Sequence, residues 1–265
     1  MNIPPQRSFV EQGAARIEVL TRGPVAGNSP LIILIPSLGR GAEDFDDLAS
    51  RLAQAGFRVI TPQPRGWGAS RGPMNNLTLH DFAKDIAAVI NANGGGPAVI
   101  GGHAFGNFVA RTTAADFPQL VKCVMLIAAT HQWPVPPDVR KSITDSHDAS
   151  QPEQQLRALQ HAFFKRGHDA SVWLSGWNEA VMHAERIATE ATPKTEWWHA
   201  GTAPVLDIIP EDDIMTPPHE RNRYVDEMGA HRVTTVLIPN AGHALLPEQP
   251  EATANAIINH LKTLK

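Results

Sequence analysis

The sequence predicts an α/β fold built on a mostly parallel sheet, and three observations support that prediction. First, short continuous apolar runs recur along the chain, as expected of strands that helices cover on both faces. They are LIILIP (31–36), RVITP (58–62), AVIGG (98–102), CVMLIAA (123–129), PVLDIIP (204–210) and VTTVLIP (233–239). Second, helical patterns alternate with these runs, which is typical of parallel sheets. Third, the length of 265 residues suits one large α/β domain with an insertion.

Three segments carry helix signals. The stretch DFDDLASRLAQAG has helical apolar spacing and stops at Gly56, a residue type that favours helix ends. A second helix is predicted to follow Thr78, a candidate N-cap, because apolar residues recur at helical spacing over 79–90. The third lies in PEQPEATANAIINHLKTLK, whose lysines near the C-terminus suit the helix dipole.

The stretch from His131 to about Gly201 breaks this rhythm. It is rich in His, Pro and Trp, and its apolar residues recur at helical rather than strand spacing. We therefore predict a helical cap over 131–201, inserted into a core formed by 1–130 and 202–265. Four of the six tryptophans lie within it, namely Trp173, Trp177, Trp197 and Trp198. They indicate either an aromatic roof over a ligand pocket or packing of the cap on the core.

Composition narrows the possible function classes. A formal net charge of −4, with no basic face that carries interleaved aromatics, gives no footprint for nucleic acid or an anionic membrane. The single cysteine, Cys123, lies in an apolar run, which favours an inert buried thiol and a reducing compartment. With no signal-peptide pattern and no apolar stretch of membrane-spanning length, we expect a cytoplasmic protein, monomeric or homodimeric, that acts on a small molecule.

The sequence also carries no motif that requires a cofactor. NANGGGP lacks the lysine of a phosphate-binding loop, and the histidines show no H-E-x-x-H or Cys/His spacing for zinc. We therefore expect neither a cofactor nor a metal.

The stretch VIGGHAFGNFVA (99–110) carries the clearest chemical signal. It predicts a strand that runs into a helix through a turn too tight for side chains at Gly102 and Gly106, which pushes the central residue out above the sheet. This pattern resembles the nucleophile elbow G-x-S-x-G of the α/β-hydrolase family, with Ala104 in place of the serine. The resemblance extends over nearly the whole chain and implies an eight-stranded, mostly parallel sheet with helices on both faces.

Two later loops resemble the acid and histidine loops of the same family. EDDIMTPP follows a predicted strand, and its spacing to Pro217 matches Asp213, rather than its acidic neighbours, to the acid position. PNAGHALLPEQPE follows the last predicted strand and offers His243 as the base. The order of elbow, acid and histidine along the chain is the family's own.

The resemblance also implies a site for a developing oxyanion. Its two donors are the backbone N–H groups of Phe105, after the elbow residue, and Leu38, in the loop after an early strand. That loop reads PSLG instead of the usual HGxG, so the donor survives and its imidazole neighbour does not. Nothing in the sequence brings the Ser37 hydroxyl to His243 as a relocated nucleophile. For substrate contacts we expect Ser37, His103, Trp173 and Trp177.

Ala104 decides which mechanism is open, because alanine has no hydroxyl to attack an acyl carbon and an acyl-enzyme on this residue is therefore excluded. Three explanations remain. In the first, the alanine is an engineered substitution for serine. In the second, it is natural, and the His–Asp pair of the enzyme activates water or removes a proton from the substrate. In the third, it marks a pocket that binds a ligand without catalysis. The altered PSLG loop favours a natural alanine.

We expect hydrolysis of an ester, lactone, thioester or activated ketone of a small, moderately apolar substrate. His243 would be the general base, Asp213 its orienting partner and Ala104 the occupant of the nucleophile position. The alternatives are a non-catalytic ligand-binding protein of the same fold, or a cofactor-independent lyase or oxygenase that uses the same His–Asp pair.

Overall fold

The computed structural model describes residues 3–24, 30–129 and 134–264. Across these residues, eight strands form one sheet. They are β1 (Gln6–Gln12), β2 (Ala15–Arg22), β3 (Ile32–Ile35), β4 (Val59–Pro62), β5 (Ala98–His103), β6 (Val121–Ile127), β7 (Val205–Pro210) and β8 (Val233–Ile238). Their order in the sheet is β1-β2-β4-β3-β5-β6-β7-β8, with β2 antiparallel to both of its neighbours and the other pairs parallel.

The helices of the described chain cover both faces of this sheet. They are α1 (Asp46–Gln54), α2 (Leu79–Ala92), α3 (Gly106–Asp116), α4 (Pro137–Asp145), α5 (Pro152–Ala162), α6 (Glu179–Ala191), α7 (Lys194–Trp197), α8 (Arg223–Met228), α9 (Leu245–Glu248) and α10 (Pro250–Leu261). Alternation along β3 shows the two faces: Ile33 packs in the cluster that contains α2 and α3, whereas Ile32 and Leu34 pack with α1 and α10. The predicted α/β fold with a mostly parallel, eight-stranded sheet is confirmed.

The six apolar runs all form strands, and the three helix signals all form helices. Thr78 caps α2 through a capping box, in which its backbone N–H donates to the Asp81 carboxylate at 3.0 Å. The hairpin of β1 and β2 is the part that the sequence analysis missed. Its signal was the two-residue connection that starts at Gly13, whose φ of 55° suits a hairpin turn.

The described chain between β6 and β7 holds the helices α4 to α7, joined by loops and turns, and no strand. We call residues 134–204 the β6–β7 segment. The first residues of the predicted cap, 131–133, lie outside the described residues, and the division into cap and core stays a prediction. Of the four tryptophans, Trp197 and Trp198 pack in the core cluster around α2 and α3. Trp173 instead belongs to a separate cluster with α4 and α5 residues.

Asp207 gives the first testable prediction, on stability. This wholly buried β7 residue lies near Arg111, and burial raises the pKa of its carboxyl to about 8 despite that positive charge. The native state therefore holds a proton that the unfolded chain releases at much lower pH, so stability is lost as pH rises toward about 8. The unmodified chain loses about 3–4 kcal/mol of stability between pH 5 and pH 8 through this group, so we expect Asp207→Asn to raise the melting temperature, relative to the unmodified chain, by about 10 °C more at pH 8 than at pH 5.

The control for this comparison is Asp226→Asn, which changes an exposed aspartate on α8. Thermal unfolding followed by circular dichroism at both pH values measures the effect. If the difference in melting temperature between Asp207→Asn and the unmodified chain is the same at both pH values, Asp207 does not have a raised pKa in the folded protein.

Candidate active site

The turn between β5 and α3 has the geometry that the sequence predicts. Ala104 adopts a φ of 47°, a left-handed conformation that costs roughly 1–2 kcal/mol for a residue with a side chain. A Cβ at Gly102 would lie 2.0 Å from the carbonyl carbon of Gly106, and one at Gly106 would lie 2.2 Å from the carbonyl oxygen of Ile35. Both positions therefore require glycine, and the turn holds Ala104 in the wall of a cavity.

His243 and Asp213 meet beside this turn. The two side chains are almost fully buried, and His243 Nδ1 lies 2.9 Å from Asp213 Oδ2. The other carboxylate oxygen of Asp213 accepts a hydrogen bond from the Met215 N–H at 2.8 Å. His243 also lines the cavity, and Nε2 is the ring nitrogen that Asp213 does not engage. This arrangement can orient an imidazole as a base.

The acidic neighbours of Asp213 lie elsewhere. Asp212 forms an ion pair with Lys165 at 2.8 Å, and Glu211 is exposed. Of the three consecutive acids, Asp213 is thus the one that the structure brings to His243.

Hydrogen bonds fix the backbone of the histidine loop. The carboxylate of Glu248, in α9, accepts from the Gly242 N–H at 2.7 Å. The carbonyl oxygen of His243 lies 2.9 Å from His103 Nε2, which must carry the proton because a carbonyl oxygen only accepts. Sequence analysis missed Glu248, although it stands in the PEQPE stretch next to the predicted base.

His103 lies beneath the site rather than in the cavity wall. Its side chain is fully buried, and burial lowers the pKa of the imidazole to about 3, so the ring is neutral. Its ring centroid lies 5.5 Å from that of His243 and 6.0 Å from that of Trp173. The residue was predicted to contact substrate, and the structure instead shows it supporting His243.

Leu38 and Phe105 line the same cavity as Ala104 and His243. In the described part of the chain, no carbonyl or side chain accepts a hydrogen bond from the backbone N–H of either residue. Two backbone donors without an acceptor beside a buried imidazole can stabilise an oxyanion. The structure therefore brings together the five residues predicted for catalysis: Ala104, Asp213, His243, Leu38 and Phe105.

The cavity has a volume of about 290 Å³, which suits a small substrate. Ser37, Trp173 and Trp177 line it, as predicted. The lining also includes five apolar residues that sequence analysis did not identify: Phe108, Ile143, Phe163, Met182 and Met215. Trp197 and Trp198 lie outside the wall and pack in the core, so two of the four tryptophans line the cavity and two do not.

Three polar side chains give the cavity wall a charged region, and sequence analysis missed all three. Arg186 and Glu190 come from α6, and His147 follows α4. Burial, assisted by the charge of Arg186, lowers the pKa of His147. Among the described residues, nothing hydrogen-bonds to the buried Nε2 of His147.

The described residues contain neither a metal-binding cluster of side chains nor a membrane-spanning helix. Within 3–24, 30–129 and 134–264, no group of three or more His, Cys, Asp or Glu residues is arranged to hold a metal ion. In the same ranges, none of the helices has the length and apolar character needed to span a bilayer.

Residues 30–250 match the family model described as the alpha/beta hydrolase fold. A Mycobacterium tuberculosis protein named as a non-heme bromoperoxidase, BpoC, is 27% identical over 251 residues, covering 89% of this chain and 95% of that protein. The bifunctional esterase/perhydrolase DCH of Acinetobacter calcoaceticus is 26% identical over 219 residues, covering 72% of this chain and 76% of that protein. A solved structure of an esterase from Thermogutta terrifontis superposes with a TM-score of 0.77 at 22% identity, covering 98% of this chain and 99% of that one.

Proposed function

Because this chain belongs to the α/β-hydrolase family, we propose that it hydrolyses an ester, lactone, thioester or activated ketone with water that His243 activates. The observation that carries this proposal is the buried His243–Asp213 pair, joined at 2.9 Å and lining one cavity with Ala104 at the elbow. The named relatives include hydrolases and esterases, which supports the reaction class.

In the proposed reaction, His243 Nε2 takes a proton from a water molecule as the water oxygen attacks the substrate's carbonyl carbon. The resulting oxyanion accepts hydrogen bonds from the Leu38 and Phe105 N–H groups. When the bond to the leaving group breaks, His243 returns the proton to that group, and the other product is a carboxylic acid. Asp213 stabilises the imidazolium that exists between the two proton transfers.

Ala104 fits this reaction because a methyl group leaves the space that a serine hydroxyl would fill. The attacking oxygen then comes from solvent, and no covalent intermediate forms on the protein. The same feature favours a second candidate: with no hydroxyl at the elbow, His243 can remove a proton from the substrate itself, which would begin a lyase or oxygenase reaction.

The cavity supports a substrate with a moderately apolar or aromatic body. Trp173, Trp177 and Met182 all come from the β6–β7 segment, which supports a cap that completes the site over the core residues. Arg186 and His147 would face one polar group of the substrate, since each can donate a hydrogen bond there.

A substrate panel in ¹⁸O-labelled water tests the proposal. We expect the chain to convert at least one ester, lactone, thioester or activated ketone to an acid that carries one oxygen atom from water. Mass spectrometry of the products measures this. Products with oxygen from O₂, or elimination products without water-derived oxygen, would favour the second candidate, and binding without turnover would contradict both.

A further inference from the structure

Gly39, next to the oxyanion donor Leu38, has both of its backbone groups bound by the β6–β7 segment. Its N–H donates to Glu185 Oε2 at 2.7 Å, and its carbonyl oxygen accepts from the Asn178 N–H at 2.9 Å. Its φ of 64° lies in the left-handed region that favours glycine. A Cβ there would also lie only 2.9 Å from the Cβ of Met182, so the position has no room for a side chain. The loop PSLG is therefore held against α6 through this one glycine.

The next residue strengthens the same attachment. The Arg40 guanidinium donates to the Ser175 carbonyl at 2.9 Å and lies 4.7 Å and 4.6 Å from the ring centroids of Trp173 and Trp177. Asp44 fixes Arg40 from the core side through two hydrogen bonds, at 2.6 and 2.7 Å. The loop that carries the Leu38 N–H is thus held both by the β6–β7 segment, through Gly39 and Arg40, and by Asp44.

Glu185 is the one acid that binds this loop from α6. Its side chain is 1% exposed, and burial raises the pKa of its carboxyl well above the ordinary value. Asp85 of α2 lines the same small cavity as Glu185, and it is already paired with Arg65 at 2.7 Å. The role of the Glu185 carboxyl that the structure shows is to accept the hydrogen bond from the Gly39 N–H.

We propose that Glu185 is a positioning residue of the oxyanion hole: by holding the Gly39 N–H it fixes the Leu38–Gly39 peptide, and through the Leu38 backbone it orients the preceding Ser37–Leu38 peptide, whose N–H is the oxyanion donor. The inference rests on the proposed function, since it assigns Leu38 to the oxyanion. Without this hydrogen bond the Leu38–Gly39 peptide can rotate, the Leu38 backbone changes with it, and the Leu38 N–H loses the alignment on which stabilisation of the transition state depends. Glu185 acts through Gly39 and does not itself contact substrate.

Kinetics of Glu185→Ala and Glu185→Gln, with His183→Ala as the control, test the proposal. His183 is an exposed residue of the same helix. We expect Glu185→Ala to lower kcat by about 10- to 100-fold while KM changes by less than about 3-fold, because misplaced donors weaken transition-state binding. Glutamine presents the same carbonyl oxygen, so Glu185→Gln should keep most of kcat.

The pH profile separates positioning from a general structural effect. In the unmodified chain, ionisation of Glu185 at its raised pKa places a negative charge under the loop that opposes the developing oxyanion, so kcat should fall as pH rises through that ionisation. Glu185→Gln has no proton to lose and should lack that fall. An unchanged kcat in the alanine variant, or an identical alkaline fall in the glutamine variant, would overturn the inference.

Amide hydrogen exchange at Gly39 provides a readout that needs no turnover. We expect faster exchange of this N–H in Glu185→Ala and exchange near that of the unmodified chain in Glu185→Gln and His183→Ala. Unchanged exchange in the alanine variant would overturn the inference. An inactive unmodified chain would contradict the proposed function alone, because the exchange result still decides whether Glu185 holds the loop.

Discussion

His243→Ala is expected to reduce turnover by about 10³-fold or more, because the variant lacks the only group in the proposed reaction that takes a proton from water. Asp213 would then remain buried without the imidazole at 2.9 Å that it orients. Substrate binding should change little, since the apolar walls are intact. Steady-state kinetics with the substrate found in the panel separate the two effects, with a loss in kcat and a nearly constant KM.

Two additions make this test specific. Added imidazole should restore part of the activity, because the truncation leaves a space of matching shape beside the cavity. His231→Ala, which removes an exposed histidine, should behave as the unmodified chain. Full activity in His243→Ala, or a similar loss in both variants, would remove His243 from the mechanism.

The fold was predictable to the extent that burial leaves a pattern in the sequence. β3, β5, β6 and β7 are covered on both faces, so each appears as a predominantly apolar run without the alternation of a half-exposed strand. β1 is mostly exposed and shows no such run, and its partner β2 was missed with it. Pairing of these two strands depends on contacts across a hairpin, which a search for continuous apolar runs does not detect.

The candidate catalytic positions were predictable because each follows a strand end that local residues mark. Gly102 and Gly106 fix the elbow, and the loops after β7 and β8 bring Asp213 and His243 to the same edge of the sheet. The supporting residues were not predictable in the same way. Glu185 and Gly39 are separated by 146 residues along the chain, and only the packing of α6 on the oxyanion loop brings them together.

The same limit applies to the cavity wall. His147 and Arg186 belong to different elements of the β6–β7 segment, and nothing in their local sequence distinguishes them from surface residues.

His103 is the reverse case, a residue that the sequence singled out for the cavity and that the structure places outside its wall. Its place inside the elbow motif suggested contact with substrate, but side chains alternate along β5, and this one points into the protein beneath His243.

Ala104→Ser is expected to convert the site into that of a serine hydrolase, which a fluorophosphonate can label. The backbone at this position already has the φ of 47° of an elbow, His243 lies in the same cavity wall, and the Leu38 and Phe105 donors are in place. A serine hydroxyl there can attack an acyl carbon directly, with His243 as its base. We expect stoichiometric labelling by a fluorophosphonate and a burst of product from activated aryl esters, whereas the unmodified chain gives neither.

The chain offers a matched control for this substitution in Ala128, which has the same φ of 47° and is buried outside the cavity. Ala128→Ser introduces the same hydroxyl on the same backbone conformation, and it should not be labelled. The double variant Ala104→Ser with His243→Ala should also resist labelling, since the hydroxyl then has no base. The change in turnover in Ala104→Ser distinguishes the explanations of Ala104. If the unmodified chain hydrolyses its substrate with activated water, the serine fills the water site and should slow that reaction. If the chain is a disabled serine enzyme, the serine should raise turnover by on the order of 10² or more.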